Sequence, residues 1–178
     1  ILIPRRTKPV GVDPQVLPKL VTFSDGSPNA FGTVIYALWK MLDGTNKAVF
    51  LMAKAKIAPL TGPADVVRSE LSGATAAARL KRWVKTNSRQ VYGEHIPICD
   101  STIVQAMIQR EGYFFNTFAG GRVAEIQGNT EPTSWKWVKS ADNISDVLTR
   151  GCSPDNLKPD GEWFCGKSWM SNPIKDWP

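Results

Sequence analysis

The chain has 178 residues, 42% of them hydrophobic and 21% charged, with 22 Lys and Arg against 16 Asp and Glu for a formal net charge of +6. The apolar content, with seven Trp and seven Phe, excludes a disordered chain, and the length suits one compact domain. The basic excess draws the domain toward polyanions, nucleic acid foremost, although a basic soluble protein of another kind has the same balance.

Three cysteines, Cys99, Cys152 and Cys165, are an odd number at wide spacing, with no Cys-x-x-Cys pair. That pattern argues against both a disulfide framework and a zinc site, and it favours a reducing, cytoplasmic setting. No apolar run approaches the roughly 20 residues of a membrane span. The opening residues 1–6 turn polar too soon for a signal peptide, and the missing initiator Met suits a piece of a longer chain.

In chain order, Pro4, Pro9, Pro14 and Pro18 predict an extended lead-in over residues 1–20. A short strand over 21–23 then runs into Ser24-Asp25-Gly26-Ser27, and the turn through Pro28 and Asn29 leads to a second strand over 31–39. After Asp43-Gly44-Thr45-Asn46, residues 48–53 form a third strand and complete an antiparallel meander. Residues 66–85 carry Val67, Leu71, Ala74 and Ala78 at helical spacing, with Thr61, Pro63 and Asp65 as start signals. Residues 95–99 read as a fourth strand ending at Asp100, followed by a helix over 101–110 capped by Ser101 or Asp100. Residues 113–128 leave helix and irregular structure open, with a helix over 122–127 one option. Residues 135–139 alternate as a fifth strand, 144–150 form a short helix stopped by Gly151, and the Trp- and Pro-rich tail reads as irregular. A meander followed by alternating helices and strands predicts a mixed sheet covered by helices.

On that map Asp25 closes the first strand, Asp100 closes the fourth, Glu70 lies early in the long helix and Asp146 opens the last one. Such acids can converge at one edge of a sheet, where hard divalent cations take carboxylate oxygens, and two ions about 4 Å apart suit phosphodiester hydrolysis. Three of these acids also have an ordinary reading: Asp25 as a turn residue, Asp100 as a helix cap, Asp146 as a first-turn acid favoured by the helix dipole.

At these residues the sequence resembles the ribonuclease H region of BEL/Pao-type retrotransposon Pol polyproteins. The likeness is carried by Phe23-Ser24-Asp25-Gly26-Ser27 with Ala30-Phe31-Gly32, by Lys54-Ala55-Lys56-Ile57-Ala58-Pro59-Leu60, and by Arg68-Ser69-Glu70-Leu71 with Ala78-Arg79-Leu80. Further on it rests on Asp100-Ser101, Arg122-Val123-Ala124-Glu125-Ile126-Gln127, Asn143-Ile144-Ser145-Asp146 with Thr149-Arg150-Gly151, and the tail Trp163, Gly166, Trp169 and Trp177-Pro178. The resemblance implies an α/β ribonuclease H-like fold, a five-stranded mixed sheet with helices on both faces. It implies an endonuclease that cuts the RNA strand of RNA–DNA hybrids during reverse transcription, leaving a 3′-hydroxyl and a 5′-phosphate. Asp25 would bridge two Mg²⁺ ions (Mn²⁺ a possible substitute), with Glu70 and Asp100 on one ion and Asp146 on the other. Its partners would be the hybrid, an upstream reverse transcriptase and a downstream integrase of the same polyprotein, within a cytoplasmic virus-like particle. Residues 1–20 become the lead-in, 21–151 the ribonuclease H-like domain, and 152–178 an extension toward the next module.

Departures from the family pattern are Ile144-Ser145 where relatives have Pro-Ala, Trp137 where many have His, and Gly121 for a common Asn. The single histidine, His95, starts a strand far along the chain from Asp146 and reads as structural. These departures motivate a second reading, a catalytically weak connecting module that only grips nucleic acid. A nuclease of the integrase kind, which usually has three acids at other spacings, is the third. No phosphate-binding Gly loop, nucleophile elbow or Asp-Thr-Gly loop is present. For substrate grip the candidates are Arg82, Lys85, Arg122 and Arg150, with Lys81 and Arg89 beside them, although a cationic helix end also complements its own dipole. Trp135 and Trp137 alternate, so one is expected in the core and the other on the surface.

Overall fold

The computed structural model describes residues 6–58 and 65–178. Pro4 and the helix-start signals Thr61 and Pro63, together with Pro59-Leu60, lie outside the described residues. Strands β1 (Lys19–Gly26), β2 (Ala30–Lys40) and β3 (Asn46–Ile57) form the meander, and each is longer than the sequence predicts. Helix α1 (Val66–Asn87) follows, then β4 (His95–Cys99), α2 (Thr102–Ile108), α3 (Thr117–Asn129), β5 (Lys136–Trp137), α4 (Asp146–Arg150) and α5 (Glu162–Cys165). The sheet order is β3-β2-β1-β4-β5, with β1 antiparallel to β2 and parallel to β4.

Alternation along β1 and β2 decides what each face of the sheet meets. Leu20, Ile35, Ala37 and Trp39 point one way and share a buried cluster with Leu80 and Val84 of α1. Val21, Phe23, Val34 and Tyr36 point the other way, into a cluster with Ile144 and Met170. A third cluster joins Leu71, Ala74 and Ala78 of α1 to Val104 and Ile108 of α2 and to Val123 and Ile126 of α3. Helices α1 to α3 thus cover one face, while α4 and the tail cover the other. Gly73 lets α1 settle onto the sheet, since a Cβ there would lie 2.5 Å from the Asp25 carbonyl oxygen.

One open reading is settled and two local expectations are corrected. The ambiguous stretch before residue 130 forms α3, capped by the Asn116 side chain on the Ala119 N–H. The fifth strand keeps only Lys136 and Trp137, because Val138 already turns away after its N–H bonds the Cys99 carbonyl. The lead-in is not simply extended: Val12 bridges Met41, and the Asp13 N–H reaches the Lys40 carbonyl at 2.8 Å.

The tail is also more ordered than its composition suggests. Besides α5 it forms 3₁₀ turns at Ser168–Ser171 and Ile174–Asp176. Met170 is only 1% exposed, and Trp163, Trp169 and Trp177 pack on the same cluster. Tyr36 donates its hydroxyl to the Trp163 carbonyl at 2.8 Å. Removing most of a buried side chain leaves a cavity that the surroundings only partly fill. Met170→Ala is therefore expected to cost about 2–5 kcal/mol in urea unfolding. A cost near zero would show that the tail is dispensable to the fold.

Candidate metal centre

Asp25 sits next to the end of β1, and Asp100 directly follows β4. Because β1 and β4 run parallel with Ser24 opposite Cys99, their carboxyl ends lie side by side and present both acids at one edge. Asp146 arrives from the far side as the first residue of α4. The segment before it is tied to β1 by Asn143, whose Nδ2 donates to the Ser24 carbonyl at 3.0 Å. Carboxylate oxygens of Asp25, Asp100 and Asp146 lie within 4.8 Å of one another.

The fourth expected acid, Glu70, does not join that close triad. It stands in the second turn of α1, half-buried, with Oε2 accepting a hydrogen bond from Ser101 Oγ at 2.6 Å. Burial raises its carboxyl above the ordinary range, and the charges of Asp100 and Asp25 add to that, while the Ser101 bond opposes it. Asp146 rises from 3.8 to about 6, first through burial and then through the charge of Asp25, against the pull of Arg150. Arg150 Nε lies 3.3 Å from Asp146 Oδ2.

Sequence reasoning missed the groups that aim these acids. Thr149 donates its hydroxyl to Asp25 Oδ2, and Ser140 Oγ donates to Asp100 Oδ2 at 2.6 Å. The oxygens Asp100 Oδ1 and Asp146 Oδ1 are buried with no hydrogen-bond partner among the described residues. Thr149 and Asn143 stood inside blocks already singled out, but a hydroxyl three residues from an acid has no signature of its own. The donor set is all oxygen, as a hard cation requires, and two of its atoms lack a protein donor.

The family model for a Pao retrotransposon-like RNaseH-like domain matches residues 1–101, over half of the sequence. The chain belongs to that family. None of the curated proteins matches it by sequence. Among solved structures it is similar to the N-terminal RNase H domain of rv2228c from Mycobacterium tuberculosis. The two share 18% identity over 75% of this chain and 91% of that one, with a TM-score of 0.50. RNase H1 of Halobacterium salinarum aligns over 78% of this chain and 98% of its own, at 14% identity and a TM-score of 0.45. What this chain shares with the mycobacterial domain is the fold, a five-stranded mixed sheet with helices, as the sequence predicted.

In this Pao-type domain the expected basic residues take separate places. Arg150 stands at the acids themselves. Arg122 stacks on Phe118, its guanidinium 3.5 Å from the ring centre, with Arg68 on the same ring at 4.0 Å. Arg82 is exposed on α1. Lys85 instead ties the end of α1 to the segment before β4, donating to the Gly93 carbonyl at 2.8 Å. Trp135 is buried, whereas Trp137 is 40% exposed and donates its Nε1 proton to the Asp100 carbonyl at 2.8 Å. His95 is buried against Thr22, with Nε2 and Oγ1 2.9 Å apart, and stands away from the acids. No helix among the described residues is long and apolar enough to cross a membrane.

The raised Asp146 carboxyl has a signed consequence for stability. Below the unfolded value of 3.8 the group is neutral in both states and costs nothing, and the penalty grows as pH rises through about 6. His95, held near 3 by burial, works the other way and weakens any variant below its unfolded value of 6.5. The contrast between wild type and Asp146→Asn cancels that shared effect. In chelator, the thermal-stability advantage of Asp146→Asn should be small near pH 4, grow through pH 6 and level off above pH 7. A gap that stays constant from pH 4 to 8 would remove the electrostatic account.

Proposed function

We propose that the domain hydrolyses the RNA strand of RNA–DNA hybrids, with Asp25, Glu70, Asp100 and Asp146 holding divalent cations, Mg²⁺ or Mn²⁺. The observation that carries this reading is the pair of buried, partnerless oxygens, Asp100 Oδ1 and Asp146 Oδ1, in a cluster with Asp25. An unsatisfied buried acceptor costs about 1–3 kcal/mol, more when charged, and neighbouring carboxylates repel besides. A hard cation relieves both at once. Divalent ions bound there supply an activated water and stabilise the leaving oxygen of a phosphodiester.

The chain's own part is positional. Thr149, Ser140 and Ser101 each hold one oxygen of an acid, and Arg150 holds one oxygen of Asp146. Neutral hydroxyls fix orientation without cancelling the negative charge that attracts the ions. Arg150, Arg122 and Arg82 are assigned to phosphates of the substrate, with Lys85 at the margin. Recognition would rest on groove shape and 2′-hydroxyls rather than on base edges. On this reading the domain serves reverse transcription, working beside a reverse transcriptase and an integrase of one polyprotein in the cytoplasm. Residues 152–178 then lead toward the following module while sealing the sheet.

Cleavage of end-labelled hybrid in Mg²⁺ or Mn²⁺, beside single-stranded RNA and duplex DNA, tests the assignment. The wild type should cut only the RNA of the hybrid, and Asp25→Asn should lower the rate by about 10²-fold or more. Undiminished cutting by Asp25→Asn would overturn the site. Hybrid binding without cleavage in either metal would favour the connecting-module reading.

A further inference from the structure

Helix α1 and the edge strand β3 enclose a groove of about 630 Å³, lined by Lys54, Lys56, Arg79, Arg82, Trp83 and Arg122 among others. No Asp or Glu lines it among the described residues, and residues 59–64, which join β3 to α1, carry no charge. Arg79 is engaged by Glu125 through two bonds of 2.6 Å. Lys54, Lys56 and Arg82 make no ion pair among the described residues. Cations that outnumber the one carboxylate beside them, Glu125, favour a polyanionic ligand, which releases their counterions on binding. Trp83 stands 54% exposed among them, a flat apolar surface set into a basic wall.

The groove lies beside the strand row that ends at the acid edge, with Lys54 and Lys56 on the α1 side of the sheet. Asp25 pairs with Gly32, and Gly32 with Ala55, so Lys54 and Lys56 flank a residue only two strands, roughly 10 Å, from Asp25. On the helix side Ser72, Ala76, Arg79 and Trp83 follow one another at steps of four, three and four, a single face of α1 beginning two residues after Glu70. From Ser72 to Trp83 that face extends for about 16 Å.

We propose that this groove binds a single-stranded segment of nucleic acid, with phosphates on Lys54, Lys56 and Arg82 and a base stacked on Trp83. A space of this size falls within the range of about 300–1,000 Å³ of a ligand pocket, which suits a base and its backbone. Aromatic stacking inside a basic groove is the general way single strands are held without sequence preference. The nuclease reading supplies only the strand's continuity with a hybrid at the acids; the groove's charge and shape stand without it.

Binding of a fluorescent 12-nucleotide single-stranded RNA or DNA to the full chain, in chelator, tests the proposal independently of hydrolysis. Lys54→Ala/Lys56→Ala and Trp83→Ala replace exposed side chains. Each should weaken binding about tenfold, the double variant should flatten the salt dependence by about 1.4 in slope, and Trp83→Ala should lose part of the tryptophan quenching. Wild-type affinity in both variants would overturn the groove, whether or not the protein cuts hybrid. An oligoglutamate that binds as tightly and ignores Trp83→Ala would overturn it in favour of an acidic peptide. If the wild type does cleave, a single-stranded overhang should lower its KM for a short hybrid, and the variants should lose that gain.

Discussion

The close seating of α1 on β1 is the constraint from which the acid edge follows. A Cβ at Gly26 would lie 2.1 Å from the Glu70 backbone nitrogen, so only a residue without a side chain lets the helix approach there. The same approach carries Glu70 toward the end of β1. On the opposite face Leu148 of α4 lies where a side chain at Gly32 would be, 2.8 Å from its Cβ position. Gly32 pairs with Asp25, so both helices reach the sheet at the strand row that holds the first acid. Helix–sheet contact and acid convergence are therefore one geometric condition rather than two.

That convergence carries an electrostatic cost which the chain does not cancel. Arg150 is the one cation in an ion pair with the triad among the described residues, and its partner Asp146 still has a raised carboxyl. The other acids are held by hydroxyl groups, which direct an oxygen but leave the charge in place. A cluster built for structure alone would be expected to carry more countercharge, since unpaired buried anions are among the costliest features of a fold. The basic side chains are instead set outward, on α1, α3 and β3, where a polyanion can reach them. The sign separation, acids at the sheet edge and cations along the flanking helix, is what a phosphodiester substrate and its counterions require.

Much of this was legible in the sequence, because it rests on local rules. The β-branched and aromatic content of residues 31–39 and the helical spacing of Val67, Leu71, Ala74 and Ala78 gave β2 and α1, and Ser101 capped α2 as its type suggests. Asp25, Asp100 and Asp146 fall at element ends that the pattern already marked, and Glu70 falls early in the long helix. What escaped depended on contacts between distant segments. The alternation over 135–139 predicts a fifth strand, and only its shortness escaped, since β5 is held to β4 by two residue pairs. Helix α3 contains Gly120, Gly121 and Gly128, which weaken its intrinsic preference, and it forms because Val123 and Ile126 bury against α1 and α2. Glu70 stands outside the close triad with one oxygen held by the Ser101 hydroxyl, a contact visible only in three dimensions.

The position of the last acid depends on residues that come after it. Helix α4 spans five residues, too short to be stable by itself, so its placement has to come from packing and tethers. Some of these come from the sheet, through Leu148 at Gly32 and Asn143 at Ser24. Others come from the tail: Lys167 Nζ donates to the Ala141 carbonyl at 3.1 Å, and Trp169 Nε1 donates to Asp142 Oδ1 at 3.1 Å. Both grips fall on the two residues just ahead of Asn143. The tail residues that make them belong to the segment whose Met170, Trp163 and Trp177 pack against the sheet's second face. Covering that face and fixing Asp146 are thus done by the same segment, so a change in how the tail packs reaches the acid centre through residues 141–143.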